Sequence, residues 1–174
     1  MREIRLIFVG GVVLPKTVLD LGAYDGFASK TFVLPGDKWI LVDNLQYLQY
    51  TGWEVPKVPE GAEYIISDIL DYYEPAEMVV CSNVLYHVKD PHALLRHLRK
   101  LTKGSLLLRT YFDPPGKEKW NYHYKKASSG GDIKTRKTIW YRPTLDALTE
   151  ELNEVGFSNV AVSVVRDEVV CICS

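Results

Sequence analysis

Thr17-Val-Leu-Asp-Leu-Gly-Ala-Tyr-Asp-Gly26 is the stretch that decides the fold. Its first five residues are mostly apolar, as in a strand buried on both faces, and Gly22 ends the run. Gly22 and Gly26 permit a tight turn and let a ligand approach the backbone closely. A helix opening after Gly26 would present free N–H groups at that edge. The glycines here stand in a Gly-x-x-x-Gly pattern, which is not the Gly-x-Gly-x-x-Gly fingerprint that cradles a pyrophosphate. Asp20 and Asp25 flank the turn, and acids there repel phosphates but suit an amino group or a sulfonium centre.

Outward from this turn, short apolar runs alternate with helical stretches. Trp39–Asp43, Glu63–Ser67, Met78–Ser82 and Ser105–Arg109 read as four further strands buried on both faces, hence a parallel sheet with crossovers. Pro91 to Thr102 reads as a helix, with Asp90 as N-cap, Pro91 at the first position, and an apolar stripe of Leu94, Leu95, Leu98 and Leu101. Gly104 is read as its stop. A second helix runs from about Thr144 to Val155, with Gly156 as stop. Val160–Val165 and Val169–Cys173 close the chain as a hairpin. Pro35-Gly36 and the short spacing between the third and fourth strands leave room only for short helices early in the chain. The fold class is therefore α/β: a doubly wound, Rossmann-like, mostly parallel sheet of about seven strands with a C-terminal antiparallel hairpin. Residues 1–174 form one compact domain.

In such sheets ligands bind beyond the carboxyl ends of the strands. Asp43 ends the second strand, twenty-three residues after Asp20, where an acid can accept two ribose hydroxyls. Asp68 and Ile69 follow the third strand, an acceptor beside an apolar side chain, suited to an adenine amino group and ring face. Each acid alone reads equally well as a solvated loop residue; all three arriving in order favour a nucleoside site.

These residues resemble the class I S-adenosylmethionine-dependent methyltransferases over nearly the whole chain. Val18-Leu-Asp-Leu-Gly-x-x-x-Gly26 is similar to their first motif. Ser82-Asn-Val-Leu-Tyr-His-Val-Lys-Asp-Pro91 is similar to their motif after the fourth strand, in the small-molecule and tRNA-modifying branch (type 11-like). The resemblance implies S-adenosylmethionine as cofactor, with Asp20, Gly22, Ala23 and Gly26 around its methionine moiety. It implies Asp43 at the ribose, Asp68 and Ile69 at the adenine, and Ser82 and Asn83 near the sulfonium. Tyr24 stands where that family usually has the central glycine of the turn. A weaker resemblance, through Val84-Leu-Tyr-His87, Leu106–Thr110 and Trp140-Tyr-Arg-Pro143, is to wobble-uridine tRNA methyltransferases that can use a carboxylated cofactor. Their larger substrate-binding extensions have no room here.

The implied reaction needs alignment, exclusion of water and in some cases removal of a proton. Tyr86, His87 and Tyr111 are the candidate catalytic groups, His87 as general base because an ordinary histidine titrates at about 6.5. The alternative for His87 is a packed histidine bonded to a backbone carbonyl. Arg109, Trp120, Tyr122, Trp140 and Arg142 are the candidate substrate-binding residues. Most of them belong to residues 113–142, an insertion too long for an ordinary connection and read as a substrate lid. Between Lys117 and Arg142 eight basic residues face two acids, interleaved with aromatics, a pattern suited to phosphate contact and base stacking. An anionic or aromatic small molecule suits it equally, as does simple packing on the domain. Between Asp37 and Glu77 nine acids face two lysines.

The net charge of −1 excludes a global polyelectrolyte argument, and three cysteines without metal-ligand spacing fit a reduced, cytoplasmic protein. The four histidines lack zinc spacing, so no metal is expected. The apolar run Leu6–Leu14 is too short to span a bilayer and reads as a packed arm or extra strand, with no membrane partner. The expected function is methyl transfer to an anionic or aromatic acceptor, a small molecule or a nucleic acid such as tRNA. A partner subunit or a homo-oligomer would help so small a chain grip a large substrate. The alternative is a catalytically silent protein of the same fold, which Tyr24 and the shortened helices favour and the three retained acids oppose.

Overall fold

The computed structural model describes residues 16–44, 57–114, 120–126 and 137–174, the strand residues 120–126 and 137–140 by their backbone. Nine strands are described: β1 Thr17–Leu21, β2 Lys38–Asp43, β3 Ala62–Ile66, β4 Ala76–Ser82, β5 Thr102–Tyr111, β6 Trp120–Lys126, β7 Lys137–Pro143, β8 Val160–Val165 and β9 Glu168–Cys173. Two α-helices accompany them, α1 Pro91–Leu101 and α2 Leu145–Glu154. Seven strands form one sheet in the order β3-β2-β1-β4-β5-β9-β8. The first five are mutually parallel and β9 and β8 return antiparallel. The strand order reverses between β1 and β4, so the switch point lies at the turn after Leu21.

Alternation along the strands divides the apolar residues between the two faces of the sheet. Leu19, Leu21, Ile40, Val42, Val79, Leu106 and Leu108 join Leu94, Leu98, Leu148 and Leu152 of the two helices in the larger core. Val18, Trp39, Leu41, Val80 and Leu107 form a smaller core on the other face. Each fully buried Leu or Ile contributes about 1.5–3 kcal/mol, so the larger cluster supplies most of the driving force for closing the sheet.

Helix α1 starts as its sequence requires: Asp90 caps it, accepting from the Ala93 amide at 2.8 Å, and Pro91 opens the first turn. Thr144 does the same for α2, accepting from the Ala147 amide at 3.3 Å. Gly104 corrects the expected end of the first helix. The helix stops at Leu101, Thr102 closes it by donating its hydroxyl to the Leu98 carbonyl at 2.7 Å, and β5 begins at once. Gly104 lies inside β5 because a Cβ there would sit 2.5 Å from the Glu77 carbonyl oxygen on β4. The short early helices are single 3-10 turns, Lys30–Phe32 and Ile69–Asp71.

Residues of the 113–142 insertion form a two-stranded antiparallel ribbon, β6 with β7, separate from the main sheet. The run Leu6–Leu14 lies outside the described residues. Among those described, no helix is long and apolar enough to cross a membrane, and no group of histidine, cysteine and acid side chains could hold a metal ion.

Candidate functional site at the carboxyl ends of the strands

The chain leaves β1 through a turn built on left-handed backbone. Gly22, Tyr24 and Gly26 have φ of 74°, 49° and 72°. The Gly22 and Ala23 amides both donate to the Val42 carbonyl, at 2.8 and 3.3 Å, which ties the turn to the end of β2. Asp43 completes the link: one carboxylate oxygen accepts from the Tyr24 amide at 2.7 Å and the other from the Asn44 amide at 2.7 Å. Glycine is needed at position 22 for contact as well as for φ, since a Cβ would lie 2.2 Å from a methyl carbon of Val84. The turn after β1 and the segment after β4 therefore touch, as a single pocket wall requires.

Asp20 lies under this turn, 1% exposed, and neither carboxylate oxygen has a hydrogen-bond partner. Burial pushes its carboxyl up to about 7, with the Asp43 and Asp25 charges adding to the rise and nearby Ser29 opposing it. The Ser29 hydroxyl itself donates to the Gly26 carbonyl at 3.2 Å and accepts from the Trp39 indole N–H at 2.8 Å. Ser29 only partly compensates the burial of this carboxyl, and a cationic ligand group would offset the remaining cost.

The third and fourth strand ends differ from each other. Asp68 is exposed and accepts from the Leu70 amide at 3.0 Å, capping the turn Ile69–Asp71, while Ile69 packs into the larger core. After β4, Ser82 pairs with Arg109 of β5, and Asn83 takes a left-handed φ of 61° while its amide donates to the Arg109 carbonyl at 2.8 Å. The side-chain oxygen of Asn83 is buried without a partner. Asp20, Asn83 and the first turn thus gather around the ends of β1 and β4.

Beside them stands a stack of aromatic and cationic groups. Tyr86 is buried, with its ring 4.3 Å from His87 and 5.0 Å from Tyr111, tilted at 49° and 55°. The Arg142 guanidinium covers the Tyr111 ring at 4.9 Å and lies 4.0 Å from the buried Asp113 carboxylate. Arg109 is bound by Glu168 of β9, its Nε donating at 3.0 Å. Neighbouring atoms disfavour the charged imidazole of His87 and push it down to about 4. His87 is therefore neutral at physiological pH.

The strand ends therefore bring together Asp20, Gly22, Ala23, Gly26, Asp43, Ser82, Asn83, Tyr86, His87, Tyr111, Arg109 and Arg142. Trp120, Tyr122 and Trp140 lie in the ribbon, paired in register with Pro143, Tyr141 and His123, and their side chains fall outside what is described. Val84 stands within the motif after the fourth strand but has no expected role of its own there, and Glu168 has none; their contacts with Gly22 and Arg109 are long-range and leave no local sequence signal. A groove of about 410 Å³ between α1 and α2, lined by Arg96, Arg99, Lys100, Glu151, Glu154 and Val155, shares no residue with this site.

A family model described as a methyltransferase domain matches residues 9–162. The chain is 33% identical over 87 residues to the tRNA U34 carboxymethyltransferase of Alteromonas mediterranea, covering 49% of this chain and 25% of that protein. It thus matches about a quarter of that relative's length. Its fold is similar to that of 1,6-didemethyltoxoflavin-N1-methyltransferase from Burkholderia thailandensis, solved with bound 1,6-didemethyltoxoflavin and S-adenosylhomocysteine. The TM-score is 0.64 at 14% identity, over 91% of this chain and 70% of that one. The glycopeptide N-methyltransferase MtfA, in complex with S-adenosylmethionine, gives 0.61 at 15% identity, over 94% and 88%. At these identities the structural likeness speaks for the fold alone.

Proposed function

The chain belongs to the methyltransferase-domain family, and from that premise we propose that it transfers a methyl group from S-adenosylmethionine to an acceptor held beside the ends of β4 and β5. The observation that carries the reading is Asp20, a carboxyl buried at the switch point of the sheet with neither oxygen hydrogen-bonded. The residues present fit the cofactor on chemical grounds. Asp20 and the partnerless Asn83 oxygen suit the ammonium and sulfonium end, and the glycine-walled turn admits a chain of atoms close to the backbone. Asp43 keeps lone pairs for a ribose diol after accepting two backbone amides, because a carboxylate has about four acceptor positions. Asp68, exposed at the end of β3, suits the adenine edge, while Ile69, packed into the larger core, offers the ring no open face. When bound, the cofactor supplies an electrophilic methyl group. The chain's own work is to hold the acceptor in line and to keep water out.

The acceptor is anionic or aromatic, and the compensation of charge in the stack supports the aromatic form. Arg109 is paired with Glu168, Arg142 lies against Tyr111 and near Asp113, and His87 is neutral. A flat ring gains from Tyr111 without needing a free cation. A nucleobase of a tRNA is the aromatic acceptor supported by the partial likeness to a tRNA-modifying enzyme and by the basic, aromatic sequence of the insertion. Incubation with methyl-labelled S-adenosylmethionine and, separately, total tRNA and a panel of small aromatic acids tests this. Label in tRNA supports a nucleobase acceptor, label in a small acid moves the assignment to that class, and cofactor binding without transfer to any pool favours a silent protein of the same fold.

A further inference from the structure

Tyr64 lies two residues from the end of β3, on the face of the sheet that carries the smaller core. The parallel registers set it beside Leu41 of β2, and Leu41 beside Asp20 of β1, so Tyr64 and Asp20 occupy the same row across the sheet. Asp43 shares that face by alternation with Leu41 and Trp39. The ring of Tyr64 is accounted for by apolar packing, which phenylalanine would satisfy equally. Its hydroxyl is not accounted for: it is buried and has no hydrogen-bond partner. Burial pushes the phenol up to about 12, with the Asp43 carboxylate and then the Asp20 carboxylate adding to the rise. The hydroxyl is thus a firmly protonated donor, held near two acids and bonded to neither.

A ribose seated on Asp43 presents hydroxyls that donate to the carboxylate, and their oxygens then need a donor in return. Asp43 cannot supply one, since an ionised carboxylate only accepts. The nearby backbone amides of Tyr24 and Asn44 are already committed to Asp43. Building on the cofactor reading above, we infer that Tyr64 is a further cofactor-binding residue whose phenol donates a hydrogen bond to the ribose held by Asp43. A buried donor with no partner in the free protein gains its bond only on binding, so it contributes to affinity, while in the free fold its unpaired hydroxyl is a cost to stability and not a gain.

The test is Tyr64→Phe, titrated by calorimetry with S-adenosylhomocysteine and with its 2′-deoxy and 3′-deoxy analogues, alongside thermal melts without ligand. The inference predicts roughly three- to tenfold weaker binding of S-adenosylhomocysteine. The difference from wild type should vanish with the analogue lacking the hydroxyl that Tyr64 contacts, and the free variant should melt no lower than wild type. Equal affinity of wild type and variant for S-adenosylhomocysteine would overturn the inference. So would an unchanged difference with both deoxy analogues, or a lowered melting temperature, which would give the hydroxyl a structural role. Absence of any binding by the wild type would overturn the cofactor reading itself, and this inference with it.

Discussion

The backbone amide of Tyr24 donates to the carboxylate of Asp43 at 2.7 Å, and this bond closes the first turn onto the second strand. Tyr24 is a side-chain-bearing residue at φ 49°, a conformation that costs about 1–2 kcal/mol. A hydrogen bond to a charged acceptor contributes roughly 1.5–3 kcal/mol, enough to offset that strain. The turn thus keeps the left-handed shape that a central glycine would give it, and the acid that would hold the ribose is also the acid that maintains the turn.

Asp43→Ala is therefore expected to act twice. Loss of the latch should lower stability by about 1–3 kcal/mol, measured by chemical denaturation. Loss of the diol acceptor should weaken S-adenosylhomocysteine binding tenfold or more, as about 1.4 kcal/mol corresponds to each factor of ten. Asp43→Asn keeps one acceptor oxygen and should recover much of the stability but little of the affinity.

Asp20 makes binding depend on pH with a definite sign. Its carboxyl titrates near 7 in the free protein, against 3.8 for an ordinary aspartate, and a cationic ligand favours the ionised form. Binding below pH 7 must then release a proton, so affinity should climb as pH rises to about 7 and level off above it. The same shift works against folding: the native state holds a proton that the unfolded chain has lost, so stability of the free protein should fall as pH rises from 3.8 towards 7. Asp20→Asn should flatten both profiles. Titrations in buffers of different ionisation heat would count the protons directly.

Gly22→Ala is expected to be severe because two penalties combine. The added Cβ would meet a Val84 methyl at 2.2 Å and would be held at φ 74°. A cost of roughly 2–4 kcal/mol follows from overpacking and the left-handed conformation together. Adding Val84→Ala should relieve the steric part alone, which a double-mutant cycle would show as a favourable coupling of about 1 kcal/mol or more.

Arg142→Met removes the cation from the Tyr111 ring and from the neighbourhood of the buried Asp113. The stack stands beside the acceptor side of the site, so the account predicts a raised KM for the acceptor and an unchanged Kd for S-adenosylhomocysteine. Stability should drop by about 1–3 kcal/mol because a buried carboxylate loses its neighbour. Equal weakening of cofactor and acceptor would contradict this division of the site.

Much of this was legible in the sequence because the signals were local. Thr17–Leu21 emerged with its expected limits, and Asp90-Pro91 and Thr144 began their helices as capping chemistry requires. Gly104 misled because a glycine after a helix and a glycine under a neighbouring carbonyl look alike until the Glu77 backbone is seen beside it. Arg109, expected to meet substrate, is held by Glu168, fifty-nine residues later, a pairing set by the β5–β9 register and without a local sequence signal. Ile69 belongs to the core as well as to a strand end, since its loop turns inward after Asp68. The orphaned hydroxyl of Tyr64 has no sequence signal, because in a strand pattern tyrosine reads as another packed aromatic.

The most direct test of the central claim is calorimetric titration of the folded protein with S-adenosylhomocysteine. The account predicts saturable, micromolar binding at a single site that is lost in Asp43→Ala while the fold persists. A folded wild-type sample that binds neither S-adenosylhomocysteine nor S-adenosylmethionine would contradict it, leaving the buried Asp20 carboxyl without the cation its place in the sheet calls for.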